Sequence, residues 1–236
     1  MSSRIPSLRT LPRHLAVILD GNRRWAEQRN RALADAYLTG AARVHELVTW
    51  CEEAGIQVVT VWALSQDNLS RSAQSVSAIT RAVTSGVQAM AASERWRIRP
   101  VGALDRLPGD EAEALRAVEA ATRHHDGTTL NVAVAYSGRD DILTAVRALV
   151  DEHRDSRLDV AGITEKQLSR HLSTAGQPDV DLLIRTAGEQ RLSGFMPWQA
   201  DQAELYFTDT PWPDFDRPQF TRALTWYAHR VRRFGQ

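Results

Sequence analysis

The run Leu15-Ala16-Val17-Ile18-Leu19 has no polar alternation, is rich in branched residues and stops abruptly at Asp20-Gly21-Asn22. A strand of that composition is buried on both faces, which confines it to the interior of a mostly parallel sheet. Further strands are expected at Ile56–Leu64, Trp96–Val101, Thr128–Tyr136 and Val180–Ile184, with a short one at Glu204–Phe207. Helical patterns fall between and after them, from Arg24 to about Arg29, Thr39 to Ala54, Val76 to about Ser93, Glu111 to His125, Asp140 to His153, Ile163 to Leu172 and Arg217 to Arg233. Strands alternating with helices imply a single α/β domain with a central, mostly parallel six-stranded sheet flanked by helices. No repeat or linker interrupts the pattern, so residues 13–236 are read as one domain behind a loose Ser/Arg/Pro-rich arm, residues 1–12.

Composition narrows the function. Formal net charge is zero, which argues against a dedicated nucleic-acid binder. Lys166 is the only lysine, so arginine abundance alone says little about phosphate sites. Cys51 is the only cysteine and excludes an internal disulfide or a cysteine-rich metal centre. With no bilayer-length apolar run and no secretory leader, a soluble cytoplasmic protein is expected.

Ligands of open α/β sheets sit beyond the carboxyl ends of the strands. Asp20 occupies that place after the first strand. Gly21 allows a close backbone approach, Asn22 can cap a helix, and Arg23 and Arg24 carry forks suited to phosphate. Taken alone, Asp-Gly-Asn is also an ordinary turn and the arginines an ordinary solvated face. Three further polar loops follow strands: Ser65 to Arg71 (with Asn68 inside it), Tyr136 to Arg139, and Arg185 to Ser193, which contains Arg191. Their convergence on one sheet edge makes a magnesium-diphosphate cradle the stronger reading, with Glu204 as a further carboxylate for the metal. The seven histidines show no ligand spacing, and neither a Walker loop nor a Gly-x-Ser-x-Gly elbow is present. Trp62, Trp198, Trp212, Trp226 and Tyr206 are read as core or subunit-interface residues.

Longer motifs then point to a family. His14-x-Ala16-x-Ile18-x-Asp20-Gly21-Asn22-x-Arg24-Trp25-Ala26, Ile184-Arg185-Thr186-Ala187-Gly188-Glu189-Gln190-Arg191-Leu192-Ser193, Ala203-Glu204-Leu205-Tyr206-Phe207-Thr208 and Trp212-Pro213-Asp214-Phe215 resemble the cis-prenyltransferases. The block Asn131 to Arg139 and the ending Arg232-Arg233-Phe234-Gly235 fit the same pattern. The resemblance implies condensation of isopentenyl diphosphate onto an allylic diphosphate (dimethylallyl, geranyl or farnesyl) with formation of a cis double bond. It implies that Asp20 works with Mg²⁺ and that Gly21, Asn22, Arg23, Arg24 and Trp25 belong to the allylic diphosphate loop. It places Asn68 near the reacting isopentenyl group, makes Ser65 a substrate-binding residue and Arg71 a phosphate-contacting arginine, and puts Arg185, Arg191 and Ser193 on isopentenyl diphosphate, with Glu204 holding the metal. It further implies a homodimer whose interface starts at Glu204, and peripheral membrane contact only through a lipid product. A diphosphate oxygen or a group near Asn68 is left as proton acceptor.

Three departures bear on product length. Leu33 and Tyr37 stand where long-chain members carry an arginine and a histidine. Asp67-Asn68-Leu69 replaces Glu-Asn-Trp, and Ser137-Gly138-Arg139 replaces Gly-Gly-Arg. The Tyr37-Leu38-Thr39-Gly40 pattern is similar to actinobacterial short-chain members that make Z,E-farnesyl diphosphate, and the segment from Val76 to Gly102 is shortened as theirs is. Against this, Ala63 is small where that subgroup carries a larger residue. A fifteen-carbon product is the expectation; a long-chain product, irregular coupling of two allylic units and cyclisation are the alternatives.

Overall fold

The computed structural model describes residues 11–155 and 159–231. Six strands, β1 (His14–Ile18), β2 (Val58–Trp62), β3 (Arg97–Val101), β4 (Thr129–Ala133), β5 (Leu182–Arg185) and β6 (Glu204–Phe207), form one sheet. Its order is β3-β4-β2-β1-β5-β6 and every pairing is parallel. Among the described residues seven α-helices accompany it: α1 (Asn22–Gln28), α2 (Leu33–Glu53), α3 (Ala73–Ala91), α4 (Gly109–Thr122), α5 (Gly138–Arg154), α6 (Glu165–Ser169) and α7 (Arg217–Ala228). The chain leaves β1 for β2 on one side and returns to β5 on the other. Strand order therefore reverses at β1, which opens a crevice at its carboxyl end.

The central strand is sealed on both faces. Leu15 and Val17 join Val59, Val61, Leu182 and Ile184 in a core shared with α2, α3, α4 and α7. Ala16 and Ile18 face the other way, against Leu183, Phe195 and Met196. This is the two-sided burial expected of an unalternated apolar run.

One helix boundary differs from the sequence expectation in an instructive way. Helix α2 begins at Leu33, not Thr39, so Thr39-Gly40 lies inside it. Gly40 is a packing requirement and not a break: a Cβ there would stand 2.8 Å from Asn22 Oδ1 and 3.1 Å from Trp212 Cδ1. Asn22 likewise does not cap α1. It lies in the first turn, with Gly21 at the cap, and its Nδ2 donates to the Leu19 carbonyl at 2.9 Å. Helix α7 stops at Ala228, short of Arg233, and the Arg232–Gly235 ending lies outside the described residues.

Candidate functional site

A cavity of about 650 Å³ opens beyond the carboxyl ends of β1, β2 and β5. Its mouth is polar and its depth apolar. Asp20, Gly21, Asn22, Arg23, Arg24, Ser65, Asn68, Arg71, Arg185, Arg191 and Ser193 all line it. Eleven of the thirteen residues singled out from sequence are thus brought together. Behind them, α2 and α3 supply Tyr37, Val44, Ile79, Val83, Val87 and Met90, facing Val61, Ala63 and Val132 from the sheet side.

Arg185 is the pivot of the mouth. It is the last residue of β5, so the sheet itself aims it, and its side chain is only 5% exposed. Nε and Nη2 reach Asp20 Oδ2 at 2.9 and 2.8 Å, while Nη1 donates to Ser193 Oγ at 2.9 Å and to the Arg191 carbonyl. One guanidinium therefore links the carboxylate after β1 to the loop after β5. That loop is held in costly backbone geometry: Ala187, Ser193 and Met196 are left-handed, with φ of 63°, 52° and 47°. Such residues cost about 1–3 kcal/mol each and cluster where a site demands an exact shape. Arg191, beyond the pivot, pairs with Glu189.

The Asp20 backbone is clamped as firmly as its side chain. Its carbonyl accepts from Thr186 Oγ1 at 2.7 Å and from the Trp212 N–H at 2.8 Å. Gly21 follows with φ 109°, and a Cβ there would lie 2.8 Å from Pro211 Cα, so only glycine fits. On the opposite wall, Ser65 Oγ accepts from the Asn68 N–H at 3.1 Å and sets the short turn that presents Asn68 and Arg71. Burial raises the Tyr37 phenol pKa, and the Arg71 and Arg23 charges oppose that rise.

Two residues are placed elsewhere. Trp25 does not line the cavity; it is buried against Ala26 and Ala36, and its Nε1 donates to Asp214 Oδ1 at 2.7 Å. Glu204 opens β6 and pairs in register with Leu182, which opens β5. It therefore sits at the amino edge of the sheet, opposite Asp20, where Arg230 Nε contacts it at 2.9 Å. Within one chain Glu204 and Asp20 do not share a metal. The loop after β4 reaches the correct edge but serves as support. Gly138 N–H donates to the Gly194 carbonyl at 3.1 Å, and a Cβ on Gly138 would strike Pro197 Cδ at 2.1 Å.

Sequence reasoning assigned no role at the site to Trp62, Thr186 or the turn at Trp212–Asp214. Trp62 stacks on Phe195 (ring centroids 4.9 Å, 7° between planes) on the sheet face opposite Ala63, as strand alternation requires, yet both line the cavity. Among the described residues no cluster of three or more His, Cys, Asp or Glu side chains could hold a metal by itself. Asp20 faces the arginine-lined mouth at the exit of β1, in a lining that also includes Glu27, Asp67 and Glu189, and both Arg185 contacts fall on its Oδ2. A carboxylate in this place fits Mg²⁺, which at phosphate sites takes one or two carboxylates together with substrate oxygens and water.

Comparison with known proteins gives the class this site belongs to. Residues 18–235 match the undecaprenyl diphosphate synthase family. The chain belongs to that family, the cis-prenyltransferases. It is 44% identical over 229 residues to isoprenyl transferase 1 of Streptomyces avermitilis, covering 95% of this chain and 89% of that one. It is 43% identical over 229 residues to (2Z,6E)-farnesyl diphosphate synthase of Thermobifida fusca, covering 95% and 90%. The crystal structure of lavandulyl diphosphate synthase from Lavandula x intermedia, in complex with dimethylallyl diphosphate, superposes with a TM-score of 0.93 at 33% identity, covering 97% of this chain and 100% of that one.

Proposed function

We propose that this cis-prenyltransferase condenses isopentenyl diphosphate with a short allylic diphosphate and stops at a fifteen-carbon Z-prenyl diphosphate such as (2Z,6E)-farnesyl diphosphate. The observation that carries the reading is one cavity with two cationic groups at its mouth and an apolar interior lined by Ile79, Val83, Val87 and Met90. Two polyanions repel each other, so their joint binding needs separate arginine sets. Arg23, Arg24 and Arg71 serve the allylic diphosphate; Arg185, Arg191 and Ser193 serve isopentenyl diphosphate. Asp20 would hold Mg²⁺, which when bound would spread the charge that builds on the leaving diphosphate. The allylic C–O bond breaks, the isopentenyl double bond attacks the freed carbon, and a proton leaves the new chain. A diphosphate oxygen, or a group beside Asn68, accepts that proton. The apolar walls exclude water from the allylic cation as it forms.

Short product length is supported by the names of relatives such as the Thermobifida fusca enzyme. Homodimerisation belongs to the same proposal. Strand β6 is a sheet edge with Leu205 exposed, and α5 presents Leu143, Val146 and Val150 on one exposed face. Cytoplasmic residence is proposed with it, in keeping with a free, fully buried Cys51 thiol. None of the described helices is long and apolar enough to cross a membrane.

Incubation with labelled isopentenyl diphosphate and dimethylallyl, geranyl or farnesyl diphosphate in turn tests the reading. Geranyl diphosphate should give a single fifteen-carbon product. A ladder running to the fifty-carbon range would reject the short-chain assignment. Product from dimethylallyl diphosphate alone would favour irregular coupling.

A further inference from the structure

The turn Trp212–Asp214 lies outside the polar loops of the mouth, yet three walls of the cavity are tied to it. The Trp212 N–H donates to the Asp20 carbonyl at 2.8 Å. The Trp212 indole Nε1 donates to the Gly40 carbonyl in α2 at 2.9 Å, from a side chain that is almost wholly buried. Asp214 accepts from Trp25 Nε1 at 2.7 Å on one oxygen and from Arg29 Nη2 at 2.8 Å on the other. Trp25 and Arg29 are four residues apart, so one carboxylate grips a single face of α1 and its C-terminal cap.

That grip matters because α1 has only seven residues. Helices shorter than about 12–15 residues are marginal in water, so the rotation of α1 has to be imposed from outside. Arg23 and Arg24 project from its first turn into the mouth, and their direction follows that rotation. Among the described residues no carboxylate ion-pairs with either arginine, and Arg24 makes only a long contact from Nη1 to the Ala187 carbonyl, at 3.3 Å, so their direction depends on α1. Pro211, which leads into the turn, is pressed against Gly21 and leaves no room there for a side chain.

We infer that Asp214 is a positioning residue for the allylic diphosphate subsite: through Trp25 and Arg29 it sets the direction of Arg23 and Arg24, while Trp212 fixes the backbone of Asp20. The inference rests on the prenyl-transfer reading for its substrate. It predicts an asymmetry that general destabilisation does not produce. The isopentenyl diphosphate subsite hangs on β5 and the loop after it, neither of which is bonded to Asp214.

The test is a set of steady-state measurements on Asp214→Ala and Asp214→Asn, with thermal melts of each. Asp214→Ala should raise KM for geranyl diphosphate at least about tenfold, since misplacement by an ångström can cost about a hundredfold. KM for isopentenyl diphosphate should stay within about twofold. Asp214→Asn keeps an acceptor for the indole and should recover most of the loss. If Asp214→Ala does not fold, Trp25→Phe, which removes the indole N–H that Asp214 accepts, should show the same asymmetry at about threefold. Equal changes in both KM values, or unchanged kinetics in folded variants, would overturn the inference. Calorimetric titration with geranyl diphosphate separates it from the reading beneath it. A wild-type protein that makes no product rejects prenyl transfer, whereas weakened geranyl diphosphate binding by Asp214→Ala still upholds the positioning claim and unchanged binding rejects it.

Discussion

The two edges of the sheet both bury polar side chains, and they treat them in opposite ways. At the amino edge the polar groups satisfy one another. His14 Nδ1 contacts the Pro178 carbonyl and Nε2 contacts Thr60 Oγ1, each at 2.8 Å. Asn131 donates to Thr60 Oγ1 at 2.9 Å and exchanges hydrogen bonds with Gln177. Asp181 Oδ2 accepts the backbone N–H groups of Arg13 and His14. At the carboxyl edge Arg185 is neutralised by Asp20 and Arg191 by Glu189, while Arg23, Arg24 and Arg71 have no carboxylate partner among the described residues. Saturated buried polarity holds a fold together. Unsaturated cations around a cavity await an anion, and that difference separates the scaffold from the site.

The comparison can be broken by mutation. Asp20→Asn should lower kcat per folded molecule by about a hundred- to a thousandfold, the usual cost of removing one preorganised electrostatic group, with a lower thermal midpoint as well, because the buried Arg185 loses its counter-charge. An unchanged kcat per folded molecule would make Asp20 part of the scaffold. The amino edge should respond the other way, first to pH. Burial pushes the His14 pKa down from 6.5 to about 4. The unfolded chain then binds more protons between those values, so stability is full above about pH 6.5 and is lost as pH falls towards 4. At about 1.4 kcal/mol per unit the loss is about 3 kcal/mol. Urea midpoints at pH 7 and pH 5 check it, and a flat profile would contradict the buried, neutral imidazole.

Asn131→Ala should cost about 1–3 kcal/mol by leaving Thr60 and Gln177 short of partners, while kcat per folded molecule stays at the wild-type value. The smallest effect on stability is expected from Ala63→Leu, which adds bulk to the apolar part of the cavity at about 1–3 kcal/mol or less. Its signature is product identity: extension of geranyl diphosphate should slow relative to dimethylallyl diphosphate. An unchanged ratio would place the length limit elsewhere on the cavity wall.

Much of this was legible in the residues. Unalternated apolar runs gave the strands, and their polar sequels gave most of the mouth, because a parallel sheet sends every strand's exit to one edge. The same rule accounts for Glu204. It begins its strand and so belongs to the entry edge, however close its motif stands to the others in sequence. The start of α2 was hidden because no side chain caps it: Ala32 stands at its N-cap, so nothing in the local pattern marks Leu33 as the first helical residue. The support role of Trp25 was hidden likewise, since its partner Asp214 is 189 residues away. Local pattern reports which residues can make a site; it does not report which of them are held in place by distant ones.

The most direct test of the account is the structure of the product formed from geranyl diphosphate and isopentenyl diphosphate carrying a carbon-13 label, read by nuclear magnetic resonance with Mg²⁺ present and after chelation. A single fifteen-carbon diphosphate with a Z geometry at the new double bond, formed only with the metal, is the predicted result. An E double bond, or equal turnover after chelation, would contradict it.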